Sequence, residues 1–190
     1  MIEKTRAFLA VALPESAIHT AEDVLASLRA RLETGEVKWV VPENLHITLR
    51  FFGGLLPEEL ARARAFVQAL DGGFDRVESA WLGLGAFPSE RRVQVIWMGL
   101  ADAGGRFKAV AREVNQKLIR QGFGRPDKPF RTHVTLGRVR RGRRVSWPQI
   151  SGHLTIPDRA FSISTIALIK SDLTPQGPVY TPLETACARP

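Results

Sequence analysis

Cysteine is almost missing from this chain. Cys187 stands alone among 190 residues, which excludes a disulfide framework and a thiolate metal cluster and suits a reducing, cytoplasmic setting. Membrane-length apolar runs are missing too. The run AFLAVAL (7–13) follows Lys4 and Arg6 in the manner of a signal peptide. It sits at the lower length limit, however, and ends in Pro-Glu-Ser without a small-residue cleavage pattern, so a buried strand is expected there. Acidic residues are in deficit: 19 Asp and Glu against 27 Lys and Arg leave a net charge of +8. The deficit is local. Between Arg120 and Arg144 nine basic residues accompany one acid, Asp127, which favours a polyanionic partner over a merely solvated loop. There is no HExxH motif and no carboxylate-rich metal pattern, so neither a metal nor another cofactor is expected.

What is present is ample apolar material for a core, 44% of the chain, and a regular alternation of strand and helix patterns. Residues 6–13 read as a strand, followed by a helix with Ile18, Ala21, Leu25, Leu28 and Leu32 at helical spacing and a stop at Gly35. Strands are expected over 37–41 and 45–52. A second helix opens at Pro57-Glu58-Glu59, a strand pair covers 77–86 and 92–100, and a third helix covers 104–120. Strand patterns then return at 131–140, 160–170 and 178–184. This is an α+β order with too many hairpin-like neighbours for a purely parallel sheet. With no low-complexity linker, residues 1–190 are expected to form a single domain of two similar lobes, and a chain of this size is expected to be monomeric.

Histidine is scarce, yet it is patterned. Three of the four histidines open a His-x-Thr tripeptide: LHITLRFFGG (45–54), FRTHVTLGR (130–138) and GHLTIPD (152–158). Eleven threonines would supply roughly 0.2 such tripeptides by chance. Along a strand, alternate residues share a face. Leu45, Ile47 and Leu49 are therefore expected in the core, with His46, Thr48 and Arg50 projecting together on the other side. In the second copy Val134 and Leu136 face the core, and Arg131, His133 and Thr135 project together. Two such strands facing one another suit phosphate-ester chemistry. A neutral imidazole takes a proton from the attacking oxygen, and an imidazolium returns one to the departing oxygen. Thr48, Thr135 and Arg131 are placed to donate to the non-bridging oxygens. The third copy departs from the frame, because Pro157 follows Thr155 too closely for a central strand. His153 is expected on a loop or edge, and His19 is expected to be solvated on its helix.

These segments together resemble the 2H phosphoesterases, in particular the RNA 2′,3′-cyclic phosphodiesterase (2′-5′ RNA ligase-like) family. RAFLAVALP (6–14), WVVPENLHITLRFFG (39–53), GAFPSERRVQVIWMGL (85–100), PFRTHVTLGR (129–138) and SDLTPQGPVYTPL (171–183) follow the family's motifs in order. The resemblance implies a bilobal, pseudo-twofold fold in which two mixed or antiparallel sheets line a central cleft with helices outside. It implies metal-independent hydrolysis of an RNA terminal 2′,3′-cyclic phosphate to a 2′-phosphate, with reversible 2′-5′ joining as a related reaction. His46 would then be the proton donor and His133 the acceptor, with Thr48 and Thr135 holding the phosphate. Phe8 and Arg138 match positions that sandwich a nucleobase. Phe8 lies opposite Leu9 and Val11 on its strand, which makes an exposed ring the expectation. Strict alternation puts Arg138 opposite His133, and a kink at Gly137 would bring it back. Thr132 stands where the family usually has proline, and Gly53-Gly54 is looser than the family pattern.

The implied partner is an RNA end or nucleotide carrying a cyclic phosphate, with no membrane and no obligate protein partner. Two alternatives remain open: a 2H phosphodiesterase acting on a small cyclic nucleotide or nucleotide-sugar cyclic phosphate, and a non-catalytic RNA-binding module.

Overall fold

The computed structural model describes residues 3–152, 154–157 and 159–190. The third His-x-Thr copy is therefore only partly within it, and His153 lies outside the described residues. Nine strands and four helices are described: β1 (Thr5–Ala12), α1 (Glu15–Arg31), β2 (Val37–Trp39), β3 (His46–Leu55), α2 (Pro57–Gln68), β4 (Val77–Ser89), β5 (Arg92–Leu100), α3 (Arg106–Arg120), β6 (His133–Val139), α4 (Trp147–Ser151), β7 (Ala160–Ile163), β8 (Thr165–Leu173) and β9 (Pro178–Cys187). They form two sheets, one in the order β3-β1-β8-β9 and the other β2-β6-β5-β4-β7. Every pairing is antiparallel. The fold is α+β, as the element order predicts.

The later helices start where a side chain satisfies backbone donors that the helix itself leaves open. The Leu56 N–H donates to Glu59 Oε2 at 2.8 Å, beside Pro57 at the head of α2. Asp102 accepts from the N–H groups of Phe107 (2.7 Å) and Lys108 (3.3 Å) at the head of α3. The Ser146 N–H (3.1 Å) and hydroxyl (2.6 Å) both donate to Gln149 Oε1 at the head of α4, a short helix that the spacing does not predict. Apolar stripes on α1 (Ala17, Ala21, Val24, Leu25, Leu28) and α3 (Phe107, Ala111, Val114, Leu118) then bury into one core with Leu9, Val11, Ile47, Ile96, Met98, Val134 and Leu136.

The pattern over 160–170 reads as one strand but is two. The chain breaks at Ser164: β7 pairs with β4 in the second sheet, while β8 pairs with β1 in the first. The ladder is renewed across the gap by the Ala188 N–H, which donates to the Ser164 carbonyl at 2.7 Å. The first sheet is thus assembled from both ends of the described chain, and the second from its middle.

Candidate active site

β3 and β6 carry the two His-x-Thr copies, belong to different sheets, and lie against each other. Their histidines are set by the same local device. His46 donates from Nδ1 to the Asn44 carbonyl at 2.7 Å, and His133 donates from Nδ1 to the Arg131 carbonyl at 2.8 Å. In each case the acceptor lies two residues upstream, so the bond fixes the ring plane and leaves Nε2 as the reactive nitrogen. The Thr48 hydroxyl reaches His46 Nε2 at 3.0 Å. With the proton on Nδ1, that hydroxyl donates and Nε2 accepts. Asn44 is itself anchored, its Nδ2 donating to the Pro178 carbonyl of β9 at 3.1 Å.

Both motif strands contain a one-residue bulge at the leucine that follows the threonine. In β3 the register passes from Thr48 opposite Ala10 to Arg50 opposite Leu9, leaving Leu49 extra. In β6 it passes from Thr135 opposite Trp97 to Gly137 opposite Ile96, leaving Leu136 extra. A bulge reverses the alternation that follows it. Arg138 is therefore carried to the face of His133 and Thr135, opposite Val95, by a bulge at Leu136 beside the glycine where a kink would have the same effect. Gly137 is required there, because a Cβ would stand 2.6 Å from Val37 Cγ1 and 2.8 Å from Trp39.

In β3 the same device corrects an expectation. Arg50 does not project with His46 and Thr48. It is buried, with Nη1 donating to Asn115 Oδ1 of α3 at 2.9 Å and Nη2 to the Gly124 carbonyl. Phe51, opposite Phe8, takes the outward place and is 59% exposed.

Phe8 is also corrected. It lies against the His46 ring, and instead of being exposed it is only 2% accessible. The rings of His46 (4.8 Å), Tyr180 (5.0 Å) and Phe51 (5.7 Å) cover it. His133 rests on a second aromatic group, Phe87 at 5.0 Å and Trp97 at 6.0 Å, and the Arg131 guanidinium lies 5.3 Å over the Phe87 ring. Thr132, where the related pattern has proline, buries a hydroxyl without a hydrogen-bond partner.

Both imidazoles are biased towards the neutral form. Burial is the main cause of a lowered pKa at His46. The Asn44 carbonyl opposes it, and the charges of His133 and Arg138 add to it. Burial also lowers His133, opposed by the Arg131 carbonyl and reinforced by Arg138 and Arg131. The Tyr180 phenol is pushed up by burial and eased down by Arg138 and Arg6. Arg138, exposed on the face of His133 and Thr135, is thus the one cation felt by both histidines and by Tyr180. Tyr180, Asn44, Phe51 and the Phe87–Trp97 pair are the site residues that the His-x-Thr pattern did not disclose. Only Tyr180, the single tyrosine, would have drawn notice by its rarity within a segment already singled out. Among the described residues no group of three or more His, Cys, Asp or Glu is placed to hold a metal ion, and no helix is long and apolar enough to cross a membrane.

The chain matches known proteins over most of its length. The family described as LigT-like phosphoesterase matches residues 11–97 and 100–180. An RNA 2′,3′-cyclic phosphodiesterase of Methanothermobacter thermautotrophicus is 35% identical, over 95% of this chain and 97% of its own. One from Archaeoglobus fulgidus is 33% identical, over 94% and 97%. Among solved structures, a Thermus thermophilus protein superposes with a TM-score of 0.75 at 29% identity, covering 97% of this chain and 98% of its own. Escherichia coli LigT complexed with 3′-AMP has the same fold, with a TM-score of 0.73 at 21% identity, covering 99% of this chain and all of its own.

Proposed function

Because the chain belongs to the LigT-like phosphoesterase family and its relatives at about a third identity are cyclic phosphodiesterases, we propose that it opens RNA terminal 2′,3′-cyclic phosphates to 2′-phosphates, without a metal, using His46 and His133. The observation that carries this reading is the pair of imidazoles, each pinned through Nδ1 to a carbonyl two residues upstream and each offering Nε2 to the cleft. His133, whose Nε2 has no protein partner among the described residues, takes a proton from water as the water oxygen bonds to phosphorus. The P–O3′ bond breaks, and His46 gives its proton to O3′.

Burial biases both rings towards the neutral form, so His46 acquires its proton with the substrate. The phosphodiester anion offsets the charge of Arg138 and favours the imidazolium. Once Nε2 is protonated it no longer accepts from Thr48, and that hydroxyl turns to a non-bridging oxygen, as does Thr135. Arg138 and Arg131 supply the remaining positive charge. Phe8 lies beneath the exposed Phe51 and half-buried Tyr180, so a base held against Arg138 stacks on this cluster rather than on Phe8 alone. One chain supplies both histidines, so a monomer suffices. The exposed arginines around the turn at 140–144 favour an RNA strand over a small cyclic nucleotide.

With a 5′-hydroxyl in place of water the same proton transfers join two RNA ends through a 2′-5′ bond. The test is turnover of a short RNA bearing a 2′,3′-cyclic phosphate in the presence of EDTA. Formation of a 2′-phosphate is expected, reduced about 100-fold or more in both His46→Ala and His133→Ala. A 3′-phosphate product, a requirement for metal, or full activity in either variant would overturn the assignment.

A further inference from the structure

Hydrolysis asks little of the attacking side of the cleft, because water needs only a base and an open approach. The His133 side offers much more. Trp97 lies flat on the second sheet: a Cβ at Gly85 would stand 2.1 Å from its ring and one at Gly99 would stand 3.3 Å away, so both neighbours are bare backbone. Gly99 is the residue paired with His133. Phe87 meets the Trp97 ring at 5.1 Å, interplanar angle 31°. The Arg131 guanidinium lies over the Phe87 ring. Leu82, 72% exposed, lies on the same face, its Cβ 3.7 Å from where a Cβ at Gly99 would be. Neither Phe87, Trp97 nor Leu82 belongs to the hydrophobic core.

In a displacement at phosphorus the attacking and departing oxygens stand roughly in line on opposite sides. If His46 serves the departing O3′, the ribose and base of the cyclic nucleotide lie on the His46 side, over Phe51 and Tyr180. Whatever attacks enters beside His133. An aromatic surface with a guanidinium and an exposed leucine, set at that entrance, matches the π-face of a nucleobase.

We propose that Phe87, Trp97, Leu82 and Arg131 form a binding site for the first base of a 5′-hydroxyl RNA end, which replaces water as the nucleophile. This rests on the donor and acceptor roles given above to His46 and His133. The step balances without a co-reactant: the 5′ oxygen bonds to phosphorus, the P–O3′ bond breaks, His133 takes the 5′-hydroxyl proton, and His46 gives one to O3′.

The experiment offers the enzyme one RNA with a 2′,3′-cyclic end and either of two 5′-hydroxyl acceptors, identical except that the first nucleotide carries adenine or is abasic. The readout is the partition of the cyclic end between 2′-5′ joined product and 2′-phosphate, which cancels any change in handling of the cyclic end itself. The adenine acceptor is expected to give a partition at least about tenfold higher than the abasic one. Phe87→Leu is expected to shrink that difference to within about threefold. Leu82→Ser, at an exposed side chain, carries the same test should Phe87→Leu fail to fold. Equal partition for the two acceptors, or hydrolysis with no joined product, would overturn the base site while leaving the hydrolase reading intact. No turnover of the cyclic end at all would overturn the hydrolase reading and the base site with it.

Discussion

His46 and His133 are each held by a carbonyl and shielded by aromatic rings, and these two influences act on the proton in opposite directions. Burial prevails, so both pKa values fall below the ordinary 6.5. Below that value the unfolded chain binds protons that the folded chain refuses. The stability contributed by these neutral rings is present above the unfolded pKa and is lost as pH falls through it towards the folded values. Thermal unfolding between pH 8 and pH 5 tests this: His46→Gln, which removes one titrating ring, is expected to lose less Tm on acidification than the wild type. Arg138 supplies a second test, because its charge lowers both histidines. Arg138→Met raises both, so the acid limb of the kcat/KM profile, where the base must be neutral, is expected to move to higher pH. An unmoved limb would take Arg138 out of the cleft's electrostatics. At this scale the sequence was most legible. The four His and Thr positions needed only the period of a strand, whereas Phe8 was misjudged because the period says which way a ring points and nothing about what covers it. Its covers are His46 and Phe51 from β3 and Tyr180 from β9.

At the scale of the element, the decisive features are the bulges after Thr48 and Thr135. They have no compositional signature: Leu49 and Leu136 look like ordinary core residues, and both are buried. The glycine at 137 hinted at one of them, and nothing hinted at the other. That is why the sequence offered a way to return Arg138 to the histidine face, while Arg50 was placed on the wrong one. The two sites then diverge in chemistry. The same kind of bulge leaves Arg50 in the core in β3 and Arg138 on the exposed histidine face in β6. Gly137 is the point to press. Gly137→Ala forces a methyl against Val37 and Trp39 and is expected to cost about 1–3 kcal/mol in urea denaturation. Because the same backbone sets the bulge, the variant should also bind cyclic-phosphate RNA more weakly, by displacing Arg138. A variant as stable as wild type would mean that β2 yields freely and that the close approach is incidental. The division of 160–170 into β7 and β8 was illegible for a related reason. Both halves have strand composition, and only the pairing partners, β4 and β1, distinguish them.

Across the whole molecule, a net charge of +8 is concentrated near the second histidine rather than spread evenly. Arg125, Lys128, Arg131 and Arg138 lead to the exposed turn of Arg140, Arg141, Arg143 and Arg144. Each phosphate neutralised by such a surface steepens the dependence of binding on salt by about 0.7 on a log–log plot for a single strand. An RNA of eight nucleotides with a cyclic end is expected to show a slope steeper by at least about 2 than a cyclic mononucleotide. Equal slopes would favour the small-ligand alternative. The crossing at Ser164 has a consequence in time as well as in space. During synthesis the strands of the second sheet, which lie between residues 37 and 163, are all available before β8 and β9 leave the ribosome. Until those last strands emerge, β1 has a single neighbour, Asn44 lacks its anchor at Pro178, and the His46 ring lacks Tyr180. A nascent chain therefore carries both histidines before it carries a complete cleft, and the assembly of the site waits on β8 and β9.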